Sequence, residues 1–83
     1  MKLFLISQEK NTGYDTFDSA VVAAPDADTA RQMDPGSGEP IVTDDPYSWR
    51  GWVSSPADVQ VECIGTAARG TKQGVIIASF NAG

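Results

Sequence analysis

The sequence predicts an α+β fold, in which a four-stranded, mainly antiparallel sheet of two β-hairpins carries one short helix on one face, in the order ββαββ. Three observations predict it: four apolar segments of strand length, a glycine-containing turn within each pair of segments, and a helical segment between the pairs. A chain of 83 residues suits one domain. We therefore expect a single domain over 1–83, with a long loop at 34–57.

The four predicted strands differ in their apolar patterns. Residues 2–8 and 74–80 each contain an unbroken apolar run, which is typical of central strands that are buried on both faces. Residues 16–24 and 58–65 alternate between apolar and polar positions, as strands near a sheet edge often do. We therefore expect the first and last strands to be neighbours at the centre, in the order 2-1-4-3 or 2-1-3-4.

Two connections carry turn signals. Asn11 and Gly13 lie between the first two strands, and Gly70 lies between the last two. These residue types accept the positive φ angles that tight hairpin turns require. Both pairs of strands are therefore predicted to be antiparallel hairpins.

The predicted helix follows the second strand. Pro25 suits the first helical position, where its missing N–H has no partner in any case. Ala27, Ala30 and Met33 recur at a spacing that places them toward the sheet. Pro35 and the following glycine end the helix after about two turns.

The composition argues against an enzyme. The chain has no histidine, so it lacks the usual general base near neutral pH and the commonest metal ligand. Cys63, the one cysteine, shares the inward face of its strand with Val59 and Val61, which predicts a buried structural thiol. The paired acids, such as Asp44 with Asp45, have no basic partner and are expected to be solvated. We predict no catalytic site, no metal and no cofactor.

Charge and hydropathy exclude two classes of partner. Six basic residues are scattered along a chain with eleven acidic ones, giving a net charge of −5. A nucleic-acid-binding surface needs clustered basic residues, so we expect no direct nucleic acid binding. No apolar run approaches the roughly 20 residues of a membrane span, so we expect no membrane association.

The loop at 34–57 is the candidate binding site because it combines acidic and aromatic residues. Tyrosine and tryptophan are enriched at interface hot spots, and an acidic rim suits a partner with a basic surface. Ile41 and Val42 add a short strand in one interpretation. The alternatives are that the tryptophans pack the loop onto the core, or that the loop covers a pocket for a nucleotide-like ligand. The predicted partner-binding residues are Asp34, Glu39, Asp44, Asp45, Tyr47, Trp49 and Trp52.

Three segments resemble a family of small proteins encoded by tailed bacteriophages and prophages. They are MKLFLISQ at 1–8, GYDTFDSAVVAA at 13–24 and, within residues 74–83, ASFNAG at the C-terminal end. The resemblance implies a phage protein that acts in the bacterial host cytoplasm or in the virion, and it carries no catalytic residues.

Two functions are expected from these features. The first is a non-enzymatic accessory protein that binds and inhibits a bacterial host or defence protein, as anti-CRISPR proteins do. The second is a structural component of the virion or its assembly that acts as an oligomer. Because one short helix covers only one face of a sheet, we also expect the other face to be covered by the loop or by a second copy, in a homodimer.

Overall fold

The computed structural model describes residues 1–41, 51–53 and 55–81, and it confirms the predicted α+β class. A helix, α1 (Ala27–Arg31), lies between the second and third strands, and a 3₁₀ turn (Pro56–Asp58) precedes the third. The sheet is antiparallel throughout. Its strands are β1 (Lys2–Ser7), β2 (Thr16–Ala24), β3 (Gln60–Thr66) and β4 (Gly74–Asn81).

The strand order is β3-β1-β2-β4, so both predicted orders are wrong. The first hairpin is confirmed, because β1 pairs with β2. The second is wrong, because β3 pairs with β1, β4 pairs with β2, and residues 67–73 cross the end of the sheet between them. β2 lies in the interior of the sheet, next to β1, and its last three residues, Val22 to Ala24, are fully buried there. The apolar β4 is left at an edge.

The register places one set of side chains on the face that carries the core. Residues directly opposite one another in an antiparallel sheet share a face. One cross-strand row runs Cys63, Phe4, Val22, Val75, and the next runs Val61, Ile6, Ala20, Ala78. We call this side of the sheet the core face.

The core lies between this face and a layer of short segments. Ala30 of α1, Met33, Trp52, Val53 and Val59 are buried against the core-face side chains of β1 and β2. Burial of a side chain as large as those of Met33, Val53 and Val59 contributes about 1.5–3 kcal/mol to the stability of the fold. The short helix therefore covers the sheet only together with residues from the loop that follows it.

The helix begins two residues later than predicted, at Ala27 and not at Pro25, and it is shorter. Asp26 is its N-cap, and its carboxylate accepts a hydrogen bond of 2.8 Å from the Thr29 N–H. Pro25 therefore precedes the cap. The helix has five residues, and Ala27 is exposed on it, contrary to the expectation that this side chain faces the sheet. Five residues are marginal for an isolated helix, so its contacts with the sheet stabilise it.

The segment after the helix folds back on itself. Met33 forms a single β-bridge with Pro40, and the Ile41 N–H donates a hydrogen bond of 2.7 Å to the Gln32 carbonyl. Ile41 is not part of a strand, and Val42 lies outside the described residues. The bridge holds the start of the long loop next to α1.

The turn between β1 and β2 is organised by Gln8, whose side chain is buried. Its amide nitrogen donates to the carbonyls of Asn11 and Phe17 at 2.6 and 2.9 Å. Its amide oxygen accepts from the N–H groups of Lys10 and Asn11 at 2.8 and 2.7 Å. The positive φ of the turn is at Asp15, at 58°, and not at the expected Asn11 or Gly13.

Two hydrogen bonds join the turn and the start of β2 to Gly51 and Trp52. The Asn11 side chain donates a hydrogen bond of 3.0 Å to the Trp52 carbonyl, and the Phe17 N–H donates one of 2.7 Å to the Gly51 carbonyl. Gly51 has a φ of 64°, and a Cβ there would collide with backbone atoms of Asp15 and Thr16. Glycine is required at this position by both its conformation and this close approach.

Candidate protein-binding surface

The predicted partner-binding residues occupy different environments. Asp34 and Trp52 are buried, at 2% and 1% exposure, so neither side chain is available to a partner in this fold. Glu39 is exposed. The other four predictions, Asp44, Asp45, Tyr47 and Trp49, lie outside the described residues. The described structure therefore brings no acidic and aromatic cluster together on the surface.

Asp34 and Trp52 have structural contacts. The Asp34 carboxylate accepts a hydrogen bond of 2.8 Å from the Gly36 N–H, and its backbone N–H donates to the Glu39 carbonyl at 2.8 Å. These bonds close a tight turn at the start of the long loop. Trp52 belongs to the core cluster. The alternative interpretation, in which a tryptophan packs the loop onto the core, is correct for Trp52.

Cys63 is exposed, contrary to the prediction of a buried thiol. Its place on the core face is as predicted, because it pairs with Phe4. The prediction failed because β3 is an edge strand, which has a neighbour on one side only. Burial along its core face falls from Val59, at 2% exposure, through the half-buried Val61 to the exposed thiol.

The opposite side of the sheet, which we call the open face, carries a second set of cross-strand rows. Its central row is apolar across three strands: Leu5 of β1, Val21 of β2 and Ile77 of β4, with Glu62 of β3 at the far end. Leu3 extends the apolar area on β1. A polar row lies beside them and consists of Gln60, Ser7, Ser19 and Ser79.

No described helix packs over this face. The helix contacts and the core cluster involve the other side of the sheet. Ile77 is 66% exposed, and it lines a shallow groove together with Leu5 and Val21. The shortest dimension of the molecule is 18 Å, which suits a sheet with one covering layer, since packed layers lie about 10 Å apart.

The exposed apolar side chains are concentrated on β4. Ile76, Ile77 and Phe80 are 52%, 66% and 48% exposed. The ring of Phe80 packs edge-on against Phe17, with the ring centres 4.8 Å apart, so this side chain is held in place while half of it faces solvent. Sequence reasoning missed the surface because it interpreted the apolar pattern of β4 as a sign of a central strand. That pattern was the available signal.

No group of three or more histidine, cysteine or acidic residues lies close enough to hold a metal ion within residues 1–41, 51–53 and 55–81. The hydrogen bond from the Thr29 N–H, and then that from its hydroxyl, holds the pKa of Asp26 below its usual value, as expected for an N-cap carboxylate. Within the described part of the chain, no helix is long and apolar enough to cross a membrane.

Comparisons with known proteins give no family assignment. A scan against protein-family models finds no match, and searches of curated proteins and of solved structures find no similar protein. The resemblance to small phage proteins therefore stays a prediction, and the functional argument depends on the surface itself.

Proposed function

We propose that the chain is a non-enzymatic protein-binding module that contacts its partner through the open face. The observation that carries this proposal is the apolar row of Leu5, Val21 and Ile77, which no described element covers. Monomeric proteins rarely expose contiguous apolar patches larger than a few hundred Å². A flat apolar surface with a polar row beside it resembles the apolar core and polar rim of protein interfaces.

The net charge of −5 favours a partner with a basic surface. Opposite charges accelerate the encounter of two proteins, and the effect weakens as salt screens it. Together with the resemblance to phage proteins, this supports the narrower proposal of an inhibitor of a bacterial host or defence protein. Asp44, Asp45, Tyr47 and Trp49 stay candidates for contacts at the edge of that interface.

The test uses a substitution at the centre of the open face. Val21→Lys places a charge in the apolar row on a central strand, and Tyr14→Lys places the same charge at a 78% exposed aromatic residue in the turn between β1 and β2. Each variant, and the wild type, is immobilised and exposed to bacterial lysate at moderate salt. We expect the wild type and Tyr14→Lys to capture the same protein, and Val21→Lys to lose it while keeping its circular dichroism spectrum.

Two outcomes would contradict the proposal. Capture of the same protein by Val21→Lys would remove the open face from the interface. Loss of capture in Tyr14→Lys alone would indicate that the interface lies at the turn between β1 and β2 and not on the open face. A partner that stays bound in high salt would contradict the narrower proposal of a basic surface.

The second candidate function is a structural component of a virion or its assembly. The apolar edge strand β4 favours it, because such an edge supports self-association. Mass spectrometry of purified particles tests it. Many copies per particle would support this function, and absence from the particle would contradict it and favour the inhibitor proposal.

A further inference from the structure

The edge formed by β4 has fewer of the features that natural proteins use to prevent strands from pairing with other chains than the edge formed by β3 has. β4 has eight residues, and none is charged or a proline. The other edge, β3, is protected by Glu62 and by a bulge at Ile64, where its register with β1 shifts. Charges and bulges on edge strands block pairing with a further strand. Because each edge strand has one bulge, the two edges of this sheet differ in charge, and the uncharged β4 is better suited to the addition of a strand.

The backbone of β4 is oriented to accept such a strand. The Asn81 carbonyl accepts a hydrogen bond of 2.7 Å from the Asp15 N–H, so its polar groups point toward β2. Successive residues of a strand direct their N–H and C=O groups to opposite sides. Those of Phe80 and Ala78 therefore point to the outer edge. The bulge of β4 is at Ile76, so residues 77–81 form a regular stretch beyond it.

The charges at the two ends of β4 identify the orientation of the added strand. Arg69 and Lys72 are exposed just before its start. Asp15 is bonded to its last residue, and Asp18 is the extra residue of β2 beside its far end; both are exposed. A second copy in antiparallel orientation would place the basic start of each β4 near the acidic end of the other. A parallel copy would place like charges together, which is unfavourable.

We propose that the chain forms a symmetric homodimer in which the two β4 strands pair antiparallel and join the sheets into one of eight strands. The contact is isologous, because the same edge serves both copies, and it closes without further growth. The open faces of the two copies would then lie side by side. This inference does not depend on the proposed function, since the edge would pair whether or not the open face binds a partner.

The chain offers a matched pair of variants for the test. Ser79 and Gln60 occupy the same polar row of the open face, at opposite edges of the sheet, and both are exposed. Ser79→Lys therefore charges the β4 edge, and Gln60→Lys charges the β3 edge. Sedimentation equilibrium should give a dimer for the wild type and for Gln60→Lys. We expect Ser79→Lys to raise the dimer dissociation constant at least about tenfold.

The outcomes separate the possible interfaces. A face-to-face dimer would be weakened by both variants, and a dimer through β3 by Gln60→Lys alone; either result overturns the proposal. A wild type that stays monomeric at all concentrations also overturns it. Partner capture that is lost in Val21→Lys but kept in Ser79→Lys would show that the open face binds while the edge does not contribute, so the two proposals fail separately.

A charge exchange tests the antiparallel orientation. Lys72→Glu and Asp18→Lys should each weaken the dimer several-fold at low salt, because each places like charges across the interface. The double variant restores opposite charges between the copies, so its dissociation constant should return toward the wild-type value. If the losses of dimer affinity from the two single variants add in the double variant, the antiparallel orientation is wrong.

Discussion

The buried side chain of Gln8 provides a quantitative test of the fold. Gln8→Ala removes four hydrogen bonds at the turn between β1 and β2. Each such bond contributes roughly 0.5–1.5 kcal/mol net, and a buried group that loses its partner costs more than one that water can reach. The N–H groups of Lys10 and Asn11 are near the surface and can rehydrate. We therefore expect a loss of about 2–4 kcal/mol from the free energy of unfolding.

This loss should be measurable by denaturant unfolding followed by tryptophan fluorescence. For a domain of this size it corresponds to a fall in Tm of roughly 10–25 °C. Gln60→Ala is the control, since Gln60 is exposed on β3 and surface substitutions change stability by about 0.5 kcal/mol or less. A Gln8→Ala variant within about 1 kcal/mol of the wild type would refute the argument that the side chain organises the turn.

A second substitution gives the prediction a pH dependence. Gln8→Glu places a carboxyl group toward the carbonyls of Asn11 and Phe17, which accept hydrogen bonds from the native amide nitrogen. A carboxylate cannot donate to them, while its other oxygen can still accept from the N–H groups of Lys10 and Asn11. Because those N–H groups lie near the surface, we expect the two carbonyls to dominate and to raise the pKa of the substituted group in the folded state above its unfolded value of about 4.3. The unfolding free energy of Gln8→Glu relative to Gln8→Ala should then fall as the pH rises above about 4. A flat difference would contradict the assigned hydrogen bonds.

Four further predictions follow from single features. Gly51→Ala should destabilise the fold by more than the control Gly38→Ala, because both need a positive φ but only the first adds a backbone collision, and equal losses by urea denaturation would contradict that contact. The lowered pKa of Asp26 means that its carboxylate stabilises the fold above the pKa of the unfolded chain, and that this stabilisation is lost as the pH falls through the folded pKa. Asp26→Asn should therefore make the unfolding free energy depend less on pH in the acid range. Trp52→Phe should remove a blue-shifted, iodide-resistant component from the tryptophan emission, and an unchanged spectrum would contradict the burial of Trp52. The Cys63 thiol should react fully with a thiol reagent in the native protein; protection would contradict its exposure.

The sequence predicted the parts of the fold that depend on local patterns. The four strands, the first hairpin and the position of the helix follow from periodicity, turn residues and proline, all of which act within a few residues. The partner choice of β3 and β4 depends on contacts between distant segments, and the sequence pattern does not contain it. For the same reason the burial of Gln8 and Asp34 was not predicted, since each is stabilised by backbone groups that only the folded turns bring together.

The candidate surface could be predicted only in part. The apolar residues of β4 were recognised, but an unbroken apolar run is compatible with a central strand and with an edge that another chain covers. The loop predictions divided according to position: Trp52 packs into the core, while Glu39 is exposed. Conflict between a local pattern and the observed position is common at functional sites, and β4 shows such a conflict.

The connection that crosses the sheet between β3 and β4 has a consequence for how the chain acquires its structure during synthesis. The central hairpin pairs residues that are close in sequence, such as Ser7 and Ser19. In contrast, Thr16 pairs with Asn81, which is synthesised 65 residues later. Closing such long loops is slow, and the ribosome adds only about 5–20 residues per second. The edge of β2 that pairs with β4 therefore stays unpaired for several seconds on each nascent chain. When two chains are synthesised close together on one messenger RNA, the β4 strand of one chain can pair with β2 of the other. Such strand-swapped dimers would persist after dilution.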